Sequence, residues 1–167
     1  GRDQAQPLLV VRGDRKIAPL LTKTALSSDR PFARLHALWT LEGLDVVEVE
    51  TLVKASGDGD PRVRAAAIRI AERLLPDERD TFLPIFKKLA GDADPNVVIQ
   101  VMLSASVSGI DPEGDLVAAI ARRQEGNDAI RSIFQSQAAR RAKIEAERKK
   151  QEELRRANEE FARSFQK

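Results

Sequence analysis

No cysteine and no tyrosine occur in the 167 residues, and there is only one histidine, His36, and one tryptophan, Trp39. Without cysteine there is no disulfide framework, thiolate zinc site, iron–sulfur cluster, cysteine nucleophile or covalent haem attachment. A single histidine cannot build a multi-histidine metal site, and any Ser-His-Asp triad would have to run through His36. Long apolar runs are also missing. The longest mainly apolar stretch, Val97 to Ile110, is interrupted by Gln100, Ser104, Ser106 and Ser108, and a bilayer span needs about 20 apolar residues. The chain opens on Gly1 with no charged-then-apolar signal segment, so it reads as a fragment of something longer. Glycine-rich phosphate loops, nucleophile elbows and calcium-loop spacing are absent too.

Charge is abundant but nearly balanced, with 28 Lys and Arg against 26 Asp and Glu. Its distribution is uneven. Residues 139–167 hold ten basic and six acidic side chains, while residues 1–138 hold 18 basic and 20 acidic ones, so the basic character belongs to the tail. A net-negative body argues against nucleic acid as the partner.

What the chain does contain is self-similarity. Segments beginning at Pro31, Pro61 and Pro95 align without gaps, at spacings of 30 and 34 residues, within the period of helical repeats. Each proline follows a capping cluster: Ser28-Asp29-Arg30, Asp58-Gly59-Asp60 or Asp92-Ala93-Asp94. Proline at the first helical position loses no intrahelical bond, and an aspartate before it accepts orphan N–H groups. Small or apolar residues then recur two, six, seven and ten places on: Ala33, Ala37, Leu38 and Leu41; Val63, Ala67, Ile68 and Ala71; Val97, Val101, Met102 and Ala105. This is the stripe of an amphipathic helix.

Second helical patterns lie between these, over 46–55, 77–90 and 112–123, with Gly43, Gly91 and Gly109 near element ends, where a left-handed cap favours glycine. Residues 3–12 and 15–26 read as a further pair divided by Gly13-Asp14. Internal Pro19 and Pro84 fall early in second helices, at the cost of a bend. The expected architecture is all-α: a right-handed solenoid of four antiparallel helix pairs over residues 1–126. Beyond it, residues 127–167 form a long charged helix. In that helix Glu145/Lys149, Glu152/Arg156 and Glu159/Arg163 are spaced for i,i+4 pairing. Ile144, Leu154, Phe161 and Phe165 are too sparse for a regular coiled-coil seam, so a solvated spacer is expected, with a dimerising helix as the alternative.

Candidate site residues are few. His36 and Trp39 lie on adjacent turns of one helix and are expected to pack on the neighbouring pair, a binding spot being the alternative. Arg62, Arg64, Arg69 and Arg73 form a local basic group that could meet an anionic partner, the alternative being solvated surface. Arg12-Gly13-Asp14 spells an adhesion tripeptide but is explained as helix punctuation. No catalytic, cofactor or metal residue is assigned.

The string Asp58-Gly59-Asp60-Pro61-Arg62-Val63-Arg64-Ala65-Ala66-Ala67 resembles the first helix of HEAT repeats. That resemblance implies a ladder of arginines and preceding aspartates joining neighbouring repeats, carried by Arg34 and Arg64 and interrupted at Val98. Di-iron hydroxylases of this class use several His-Glu pairs, which His36 followed by Ala37 excludes. Residues 1–14, together with Ala33-Arg34-Leu35-His36-Ala37-Leu38-Trp39-Thr40-Leu41-Glu42-Gly43-Leu44, are similar to the helical-repeat segment of secreted dehydrogenase-like fusion proteins of planctomycete and verrucomicrobial bacteria. The resemblance covers residues 1 to about 107 and implies a non-catalytic periplasmic or cell-envelope spacer. Its partners would be a flanking β-propeller and a c-type cytochrome domain, with haem c and quinone belonging to the parent protein. A protein- or nucleic-acid-binding repeat module is the alternative.

Overall fold

Each of the three aligned prolines opens a helix. The computed structural model describes residues 15–111 and 114–164, and among these it is all-helical with no strand. After a 3-10 turn at Arg15–Ile17 come α1 (Ala18–Ser27), α2 (Pro31–Gly43), α3 (Val49–Ala55), α4 (Pro61–Ala71) and α5 (Leu75–Leu89). The series continues with α6 (Pro95–Ser108), α7 (Asp115–Arg123) and α8 (Asp128–Ser164). The expected helix over 3–12 and the Arg12-Gly13-Asp14 tripeptide lie outside the described residues.

The caps follow the aspartates. Asp60 Oδ1 accepts the Arg62 backbone N–H at 2.9 Å and Asp94 Oδ1 accepts that of Asn96 at 2.8 Å. The first cluster differs, since Arg30 occupies the cap position of α2 and contributes no side-chain bond. Left-handed backbone is found at Gly109, which closes α6 at φ +71°, but Gly43 and Gly91 do not adopt it. After α2 that conformation falls to Asp45 at φ +57°, which lets the Val46 N–H reach back to the Leu41 carbonyl at 3.1 Å. Asp and Asn tolerate this region better than most side chains. Pro19 sits in the first turn of α1. Pro84 lies inside α5, whose backbone departs from helical geometry at Glu78.

By residue contacts the chain divides into two units, Gly1–Ile120 and Ala121–Lys167. The boundary falls within α7, a few residues before the change in composition at 126/127. In the first unit α2, α4 and α6 touch in series, and so do α1, α3 and α5; α2 also packs on α1, α4 on α3, and α6 on α5. The repeated stripe forms the contact surface. Leu38, Ile68 and Met102, aligned at the seventh place after each proline, are fully buried, as are Leu41, Ala71, Val63, Val97 and Val101. Ala33 is only half-buried. Among the described residues, Phe82 and Phe86 of α5 are the largest fully buried side chains. In the second unit α8 runs for 37 residues, about 55 Å at 1.5 Å per residue.

Asp60 supports a direct test. Hydrogen bonds from the Arg62 side chain, more than from its backbone N–H, hold the Asp60 carboxyl down to about 2 against the opposing effect of burial. Asp60→Ala is expected to cost about 1 kcal/mol in urea unfolding at neutral pH. Because the folded-state value is depressed, the contribution of this carboxylate is complete above about pH 4 and is lost as pH falls toward 2. The variant and the parent should therefore converge in acid, and an unchanged neutral-pH midpoint would remove the cap assignment.

Candidate functional site

Two arginines on the buried edges of α2 and α4 reach the loop that opens the next repeat. Arg34 Nε and Nη2 donate to the two carboxylate oxygens of Asp58 at 2.7 and 2.8 Å, while its Nη1 donates to the Ser28 carbonyl at 2.6 Å. Arg64 repeats this one step on. Its Nε and Nη2 meet Asp92 at 2.9 and 2.7 Å, and its Nη1 donates to the Asp58 carbonyl at 2.8 Å. Each receiving aspartate also accepts a backbone N–H, from Asp60 and Asp94 respectively. Loop, cap and neighbouring helix are thus held by one carboxylate. The planar guanidinium fork matches the carboxylate in a way a lysine cannot. At the third copy Val98 stands in place of the arginine and is buried, so among the described residues the ladder has two rungs.

The four arginines of the basic group are not a free cationic surface. Arg62 pairs with Asp60 at 2.6 Å, Arg64 with Asp92, Arg69 with Glu72 at 2.5 Å, and Arg73 with Asp45 and Glu42. Hydrogen bonding to these carboxylates raises the pKa of Arg62, Arg64 and Arg73 above the ordinary guanidinium value, and the fork to Asp58 does the same for Arg34. Arg64 also points between repeats rather than alongside Arg62 and Arg69. An anion meeting this surface would have to compete with an internal carboxylate at every position. The favourable release of counterions that drives phosphate binding is correspondingly small.

A different surface emerges from the side of α2, α4 and α6 opposite the buried stripe. Phe32, Trp39, Leu103 and Val107 are 60%, 41%, 40% and 63% exposed, high for large apolar side chains. Trp39 borders a groove of about 320 Å³ together with Leu35, Ala65, Ala66, Arg69 and Gln100. The small Ala65 and Ala66 leave room between the flanking side chains. The Arg62 guanidinium sits 4.6 Å from the centre of the Phe32 ring, in cation–π range. Beside the groove, Gln100 donates to Ser104 at 2.9 Å, and the Ser104 hydroxyl donates to Glu72 at 2.6 Å. His36 is exposed rather than packed on a neighbour, and it does not join the groove lining. Phe32, Leu103 and Val107 were legible as apolar residues one, eight and twelve places after the prolines, where the stripe predicts solvent.

In the second unit Glu145 pairs with Lys149 at 3.2 Å and Glu152 with Arg156 at 2.7 Å, as the spacing predicts. Glu159 instead pairs backward with Arg155 at 2.9 Å. Among the described residues no group of three or more His, Asp or Glu side chains is placed to hold a metal ion, and no helix is long and apolar enough to cross a membrane.

No known protein family, curated protein or solved structure matches this chain.

Proposed function

We propose that this chain is a non-catalytic helical-repeat scaffold, a HEAT-like right-handed solenoid of antiparallel helix pairs extended by a charged helix, which spaces and positions other domains. The observation that carries this reading is the repeated rung. Two arginine–aspartate forks of the same geometry tie three successive proline-initiated helices, and their side chains are consumed in doing so. A carboxylate that receives the previous repeat's arginine and also holds the backbone N–H of its own helix's capping aspartate supports rigid stacking rather than turnover. The resemblance of residues 1 to about 107 to the repeat segment of dehydrogenase–cytochrome fusion proteins supports a periplasmic redox setting. There the flanking propeller and cytochrome would carry the quinone and haem chemistry.

The experiment is a titration of the purified chain with haem, zinc and a soluble quinone, followed by absorbance and calorimetry. No saturable binding is expected. Stoichiometric binding of any of the three would overturn the scaffold reading. A second reading, a protein-binding repeat module, is favoured by the groove beside Trp39. Because Trp39 is the sole tryptophan, its fluorescence would report occupancy of that groove directly, and a partner fragment that shifts it would support this second reading.

A further inference from the structure

Residues 143–163 repeat themselves every seven positions. Lys143-Ile144-Glu145-Ala146-Glu147-Arg148-Lys149 aligns with Lys150-Gln151-Glu152-Glu153-Leu154-Arg155-Arg156, and then with a third copy starting at Ala157. A seven-residue period on a helix places equivalent positions on one face. Ile144, Gln151 and Asn158 therefore line one side of a seam, with Leu154 on the other side, on a stretch of α8 that is exposed all round. Ile144 and Leu154 are 59% and 62% exposed, and Gln151, Leu154 and Asn158 border a shallow groove along α8.

The charges are sorted around this seam. Glu145, Glu152 and Glu159 recur on the far face, where the first two pair with Lys149 and Arg156. In the first two copies the positions flanking the seam carry Lys143, Arg148, Lys150 and Arg155, all basic, and in the third they carry Ala157 and Ala162. Lys143, Arg148 and Lys150 make no ion pair among the described residues, whereas Arg155 pairs with Glu159 and every arginine of α4 is paired. Basic side chains gathered on either side of Ile144 and Leu154, against a far face that is net acidic, mark the face an acidic partner covers.

We propose that this face of α8 docks an acidic amphipathic helix of another protein or domain, one with aliphatic residues along its own seam and carboxylates flanking it. A second copy of this chain is a poor occupant, because the flanks of two identical helices bring basic against basic in either orientation. Gln151 and Asn158 suit polar seam partners, which fix register at a cost in affinity. Glu147, also on the seam, requires a basic or polar residue opposite it. Nucleic acid and anionic lipid fit less well, since Glu147 and the acidic far face repel phosphate and the apolar strip is only a seam wide. This inference concerns α8 alone and stands whether or not the scaffold reading holds.

The test uses the full chain and two synthetic helical peptides of about four heptads with leucine seams, one flanked by glutamate and one by lysine. By calorimetry the glutamate-flanked peptide is expected to bind at least about tenfold more tightly, with an affinity that falls as salt is added. Replacing Arg148 and Lys150 together by glutamate should reverse the preference. Replacing Ile144 and Leu154 together by asparagine should abolish binding while leaving the thermal melt of residues 15–120 in place. The proposal is overturned by equal or absent binding of the two peptides, by a stable homodimer in sedimentation, or by binding confined to duplex DNA or phosphatidylserine vesicles.

Discussion

Phe86→Ala is expected to lower the unfolding free energy by about 3–5 kcal/mol, the range for truncating a fully buried aromatic ring. Phe86 is fully buried in α5 beside Phe82, and α5 touches α3, α4 and α6. Leu75 and Leu89 are buried at its two ends, but its middle rests on the two rings. Pro84 supplies no N–H to the carbonyl of Asp80, and the backbone at Glu78 interrupts the first turn. Its position therefore depends on its buried side chains, Phe82 and Phe86 the largest of them, rather than on an unbroken run of backbone bonds. Natural domains hold about 5–15 kcal/mol in total, so this one substitution would remove a large share and lower Tm by roughly 10 °C. Phe86→Leu, which keeps much of the volume, should cost clearly less. A loss below about 1 kcal/mol in urea unfolding of Phe86→Ala would show that α5 is not the packed element described.

Arg64→Ala should cost about 2–3 kcal/mol, because it strands several groups at once. The Arg64 and Asp92 side chains are 16% and 7% exposed, and removal of the guanidinium leaves both Asp92 oxygens and the Asp58 carbonyl short of a donor. Asp92 keeps only the Asp94 N–H. Arg64→Lys preserves the charge but not the two-pronged geometry, and an intermediate loss is expected. Acid provides an independent check. The fork holds the Asp92 carboxyl below the ordinary carboxylate range against its burial. Its stabilising contribution is therefore present at neutral pH and disappears as the carboxyl protonates in acid, where Arg64→Ala and the parent should draw together. A neutral-pH melting curve for Arg64→Ala that superimposes on the parent's would contradict the rung.

Much of this architecture could be read from the residues because its signals are local. Pro31, Pro61 and Pro95 start helices by fixing φ where no N–H is needed. The stripe through Leu38, Ile68 and Met102 follows from helical period alone. The two rungs and their interruption at Val98 were visible through the HEAT-like string. The pairing of the basic group was only half visible. The partners of Arg62 and Arg69, Asp60 and Glu72, lie within three residues, whereas Arg64 and Arg73 find theirs 28 residues away at Asp92 and Asp45. Spacing along the chain carries no information about such contacts; they exist only once the helices stack. The left-handed turn after α2 went to Asp45 instead of Gly43 because α2 runs on through the glycine. On α8 the apolar residues alone looked irregular. Including the charged positions reveals the seven-residue period, since Lys143 and Lys150, and Glu145, Glu152 and Glu159, keep register where the aliphatic side chains lapse.

A scaffold must move as one body, and native-state hydrogen exchange tests that most directly. If the two rungs and the shared stripe unite the repeats, the slowest amides of α2, α4 and α6 will exchange through a common opening with one free energy and one urea dependence. In Arg64→Ala the amides of α6 will separate from that group and exchange first. Distinct opening free energies for α2 and α6 in the unaltered chain would contradict the account.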